Sequence, residues 1–144
     1  LDLLVPLVQP GVTTAALDKV AYDYVVAHGA IPACLGYRGY RHTVCTSINH
    51  VVCHGIPNDK PLRDSDVVNI DVTVIVDGWH GDTSRMYPVG DVKRKAERLV
   101  EITYESMMRG IAAVKPGATT GDIGHAIHGL AEGQEKCAGV RDFW

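Results

Sequence analysis

Apolar residues fall at helical spacing in three stretches and at every second position in a fourth. Leu17, Val20, Ala21, Tyr24 and Val25 follow Pro10-Gly11-Val12-Thr13-Thr14, whose threonine hydroxyls can accept from the free amides of a first turn, and Gly29 ends the run. A second helix is predicted from about Lys93 to Val114, with Val100, Thr103, Met107, Ile111 and Val114 on one face and Gly117 beyond its end. A third follows, with Ile123, Ala126, Ile127 and Leu130 as its buried stripe and Thr119 with Asp122 as a capping pair. The segments 8–14 and 114–120 share five of seven residues and each launches a helix, which fits an internal duplication or simply good helix-start chemistry.

Between the helices the period changes to two. Residues 49–54 and 66–76 are rich in β-branched side chains and read as strands. Asp77-Gly78 stands where a two-residue type I′ turn would fold the chain back into residues 79–87. Val68, Ile70, Val72, Val74 and Val76 make one face apolar, while Asn69, Asp71 and Thr73 make the other polar.

Composition narrows the class. The chain has 144 residues, 46% hydrophobic and 22% charged, which excludes disordered, collagen-like and membrane-spanning classes and predicts one globular domain. Fourteen basic and seventeen acidic residues give a formal charge of −3 without a basic stripe, so DNA is not an expected ligand and no membrane is involved. Cys34, Cys45, Cys53 and Cys137 lack paired spacing and read as free thiols of a reducing compartment, the cytoplasm. No targeting signal is visible; residue 1 is leucine and residues 140–144 read as the opening of a strand, so the chain is expected to be an excerpt of a longer protein.

A two-residue turn at 77 and 78 pairs Thr73 with Asp82 and Asp71 with Ser84, making Asp71 and Asp82 diagonal neighbours on the polar face. Their Cβ atoms are expected within about 8 Å. Two like charges this close repel, and a divalent cation between them would resolve the conflict. The bland alternative is the wet face of an amphipathic hairpin with nothing bound. His80, two residues from Asp82, is the further ligand that proximity suggests.

Taken together, Ala33-Cys34-Leu35-Gly36-Tyr37, Cys45-Thr46-Ser47-Ile48-Asn49, Val52-Cys53-His54-Gly55-Ile56-Pro57, Asn69-Ile70-Asp71-Val72-Thr73 and His80-Gly81-Asp82-Thr83-Ser84 resemble the type I methionine aminopeptidases. The likeness runs in the family's order over essentially the whole chain. It implies an α+β pita-bread (creatinase/aminopeptidase) fold present in part: an N-terminal half over about 1–113 and the start of a pseudo-symmetric second half over about 114–144. The resemblance assigns Asp71 to one metal and Asp82 to a bridge between two, with cobalt, manganese, iron or zinc as candidate ions. It makes His54, rather than His80, the site histidine, a hydrogen-bond donor to substrate near the scissile amide. Cys34, Tyr37, Tyr40 and Cys45 match the pocket for the methionine side chain, and a monovalent cation is implied near Asn49 and Val51. Arg38 stands where many bacterial members have histidine.

The family's remaining metal ligands, a histidine and two glutamates, have no counterpart here. His125, His128, Glu132 and Glu135 do not match those motifs and read as exposed helix and turn residues, and Lys93, Arg94, Lys95 and Arg98 as a solvated helix face with charge pairs. The implied activity is removal of the N-terminal methionine from nascent polypeptides with a small second residue, near the ribosome, by a protein monomeric when complete; the chain alone is expected to be nearly inactive. The alternatives are a non-catalytic binding module on the same scaffold and an Xaa-Pro peptidase.

Overall fold

Thr13 opens the first helix, α1 (Thr14–Ala27), from an extended backbone, its hydroxyl accepting from the Ala16 amide at 3.2 Å. Thr14 does something else. Its buried hydroxyl donates to the Asn58 carbonyl at 3.2 Å and accepts from the Asn58 amide at 2.9 Å, tying the helix start to a distant loop. At the other end Gly29, at φ +71°, lets its own amide reach the Val26 carbonyl and that of Ala30 reach Val25, which satisfies carbonyls the helix leaves open. Of the apolar residues at helical spacing, the helix buries Leu17, Ala21 and Val25 and half-buries Val20, while Tyr24 is exposed. The computed structural model describes residues 1–135 and 137–139, so the strand opening expected at 140–144 lies outside them.

Four antiparallel strands form one sheet: β1 (Ile31–Pro32), β2 (Val44–Ile48), β3 (Val67–Val76) and β4 (Trp79–Pro88). Because β4 pairs with β3 along its whole length, β1 and β2 share the other edge of β3, at residues 74–75 and 68–72 respectively. The hairpin has the predicted register, Val76 with Trp79, Thr73 with Asp82 and Asp71 with Ser84. Both turn residues are left-handed, Asp77 at φ 50° and Gly78 at φ 82°, as a type I′ turn requires. On the apolar face Val68 and Ile70 are fully buried, but cover fades toward the tip and Val76 is half exposed. They pack with Leu4, Val8, Leu17, Val44, Leu62, Tyr87 and Val89, each such aliphatic contributing about 1.5–3 kcal/mol.

The strand expected over 49–54 is instead a loop; its place is taken by β2 just before it. Asn49 turns left-handed at φ 53°, and its side chain accepts from the Val67 amide at 3.0 Å and donates to Asp66 at 2.8 Å, replacing a strand's ladder by local bonds. In β2 the buried set includes Thr46 and Ser47, which polarity alone argues against. The Thr46 hydroxyl has no partner among the described residues.

A second compact unit begins at Lys93. Its helix α2 (Arg94–Ala112) buries Ile102, Ser106 and Gly110, not the expected stripe of Val100, Thr103, Met107, Ile111 and Val114. Small residues explain the difference: Ser106 and Gly110 let the helix α3 (Thr120–His128) come so close that a Cβ on Gly110 would sit 2.8 Å from the Ile127 side chain. Hydrophobic patterning gives such residues no weight. Thr119 and Asp122 form the complete capping box at the start of α3. Beyond it, a π-helical turn (Gly129–Gln134) carries the buried Leu130. The two similar segments share their local geometry, with Gly11 at φ 90° and Gly117 at φ 88°, and Thr13 and Thr119 as caps.

Candidate metal centre

The pleat places Asp71 and Asp82 on the same face of the hairpin, with their carboxyl groups close enough to interact directly. Burial, followed by the charge of Asp82 and a hydrogen bond with it, pushes the Asp71 pKa above the ordinary carboxylate range; the nearby His54 pulls the other way. The pair is therefore an electrostatic conflict built into the strand. Asp71 is half-buried and Asp82 exposed, so a cation could enter from solvent. Two oxygen donors of this type suit a hard or borderline divalent ion and supply part of its four to six ligands. Among the described residues no group of three or more histidine, cysteine or acidic side chains is assembled for a metal.

His54 reaches this face through a loop folded back on β2. The Gly55 amide donates to the Ser47 hydroxyl at 3.1 Å, and the Gly55 carbonyl accepts from the Thr46 amide at 2.7 Å. The approach is so tight that a Cβ on Gly55 would lie 2.1 Å from the Thr46 carbonyl oxygen. His54 itself is left-handed at φ 55°, a conformation that turns the chain sharply at the site. His80 also lies on the acid-bearing face, opposite Ile75, but is exposed and nearer the hairpin tip.

Cys45 stands opposite Asp71 in the ladder, and Cys34 follows Ala33, whose amide donates to the Thr73 carbonyl. Burial raises the Cys45 pKa, with the thiols of Cys34 and Cys53 and the charge of Asp71 adding to it and Tyr40 opposing, so it remains a neutral, soft thiol. Burial also raises Tyr40, whose hydroxyl donates to the Val44 carbonyl at 2.8 Å. Cys34, Tyr40 and Cys45 are thus brought together beside the acids. Tyr37 is not as enclosed: it is 66% exposed, with the Arg38 guanidinium 5.5 Å above its ring. Asn49 and Val51 sit in the tight turn after β2, where the Val51 amide donates to Ile48. Elsewhere Arg94 pairs with Glu97 and Glu101, the solvated pairing that the charge pattern suggests, whereas His128, Glu132 and Glu135, expected to be exposed, are partly buried, His128 beside Glu132 and Glu135 paired with Arg98. The sequence assigns no role to Asp18, and none to Ser47 beyond its place in a motif, because their partners lie far along the chain or depend on a loop's path.

The family model for metallopeptidase family M24 matches residues 1–143. The chain belongs to this family. Its M24 relatives include the methionine aminopeptidase of Rickettsia prowazekii (strain Madrid E), 57% identical over 143 residues, which are 99% of this chain and 55% of that protein. The methionine aminopeptidase of Escherichia coli (strain K12) is 52% identical over 99% of this chain and 54% of its own length. The chain spans about half the length of the curated relatives it matches. Among solved structures, the methionine aminopeptidase from Rickettsia prowazekii aligns with a TM-score of 0.89 at 58% identity, covering 92% of this chain and 53% of that one. An Xaa-Pro dipeptidase from Bacillus anthracis aligns with a TM-score of 0.79 at 18% identity, covering 92% of this chain and 36% of that one, and shows a shared fold alone. The architecture is accordingly the M24 pita-bread fold, present as part of a domain. No helix among the described residues is long and apolar enough to cross a membrane.

Proposed function

We propose that this chain is the N-terminal portion of a metal-dependent methionine aminopeptidase, and that the paired acids of the β3–β4 hairpin are its metal ligands. Asp71 would hold one divalent ion and Asp82 bridge two, the rest of the ligands coming from beyond this chain. When bound, such ions would polarise the scissile carbonyl and lower the pKa of a water. The chain's own residues do the remaining work. His54, beside Asp71, would donate a hydrogen bond to the peptide group at the cleavage point. Cys34, Tyr40 and Cys45 would line a soft pocket suited to an unbranched thioether, with Tyr37 at its rim.

The substrates would be nascent polypeptides beginning with methionine and a small second residue, met in the cytoplasm near the ribosome by a monomeric complete protein. Cobalt, manganese, iron or zinc could serve, since availability often decides among such ions. A monovalent cation near Asn49 and Val51 and a pseudo-symmetric second half from about residue 114 belong to the same reading. What carries it is the proximity of Asp71 and Asp82 on one face of the hairpin, where a divalent cation between them would relieve their repulsion. A binding module that had abandoned chemistry would not need them. The test is methionine release from Met-Gly peptides with added cobalt or manganese. The complete protein should turn over and this chain alone scarcely at all; robust turnover by the chain alone contradicts the ligand assignment, and an inert complete protein contradicts the function.

A further inference from the structure

Asp18, in the second turn of α1, directs its carboxylate at the start of β2. One oxygen accepts from two successive backbone amides, Thr43 at 2.8 Å and Val44 at 2.9 Å, and the other meets His42 Nδ1 at 3.1 Å. The side chain is only 14% exposed, so these charge-assisted bonds are sheltered from water. On the far side of Val44, its carbonyl accepts from the Tyr40 hydroxyl at 2.8 Å. Val44 is itself fully buried. The backbone at this point is therefore gripped on both sides, by a helix carboxylate at the amide and by a pocket tyrosine at the carbonyl. The next residue is Cys45, opposite Asp71.

We propose that Asp18 is a positioning residue for the methionine pocket: by fixing the Thr43 and Val44 amides it sets the spacing between the Tyr40 ring and the Cys45 thiol, and so the selectivity for a long unbranched side chain. The proposal rests on the pocket assignment under Proposed function. Asparagine at this position keeps an oxygen that both amides can use, whereas alanine leaves two sheltered donors without an acceptor and frees the strand to shift.

The experiment compares wild type, Asp18→Asn and Asp18→Ala. In the complete protein with manganese, Asp18→Ala should raise KM for a Met-Gly peptide about tenfold while kcat changes much less, the pattern of lost side-chain binding. Preference for methionine over alanine at the first position should fall with it, and Asp18→Asn should restore both. In this chain alone, exchange of the Thr43 and Val44 amides should quicken in Asp18→Ala and stay slow in Asp18→Asn. If Asp18→Ala fails to fold, Asp18→Glu, which keeps the charge but displaces the oxygens by a methylene, carries the same KM expectation. An active wild type whose KM and selectivity are untouched by these variants overturns the proposal alone. A wild type that releases no methionine overturns the pocket reading and the proposal with it.

Discussion

Asp71 and Asp82 set stability against binding. The folded hairpin disfavours the charge on Asp71, because burial together with the Asp82 carboxylate holds the Asp71 pKa high. Asp82→Asn should therefore raise the melting temperature of the metal-free chain, corresponding to at most about 1 kcal/mol, while weakening its affinity for manganese. Thermal melts with and without manganese check both signs; a variant less stable than wild type without metal would contradict the repulsion. At Gly55 the constraint is steric. Gly55→Ala drives a methyl into the Thr46 carbonyl and should cost about 1–3 kcal/mol in denaturant melts, with displacement of His54. The acids were legible in the sequence because a two-residue turn fixes register by counting. Asp18 was not, since its partners lie 24 to 26 residues away and nothing local marks it.

At the scale of elements, the hairpin and α1 could be read directly: Asp77-Gly78 has one preferred turn, and Thr13 and Gly29 mark helix ends by their own chemistry. β2 was missed because its buried positions include Thr46 and Ser47, and the neighbouring valines of residues 51–52 offered a more apolar but wrong candidate. The buried face of α2 was missed for the converse reason, since Ser106 and Gly110 contribute closeness rather than hydrophobicity. The caps give measurable expectations. Thr13→Ala should destabilise the first unit by about 1 kcal/mol. In α3 the bonds from Thr119 hold the Asp122 pKa below its ordinary 3.8. The cap is then fully stabilising above pH 3.8 and weakens as the pH falls toward the depressed folded value. Amide exchange at the start of α3 should quicken over that acid range, and Asp122→Asn should abolish the dependence.

For the whole molecule, the described residues leave Leu99, Met107 and Ile111 of α2, and Val114 just past its end, exposed in a segment otherwise rich in charge. Exposed apolar side chains of this kind favour association, so the chain alone should self-associate with rising concentration and Ile111→Glu should reduce it in sedimentation experiments. The family and the partial fold are secured by the match over residues 1–143; the chemistry turns on the hairpin acids. The most direct measurement is anomalous diffraction from manganese-soaked crystals of the complete protein. A manganese peak in contact with both Asp71 and Asp82 is the expected result. Peaks remote from the pair, or acids pointing to opposite sides of the hairpin, would contradict it.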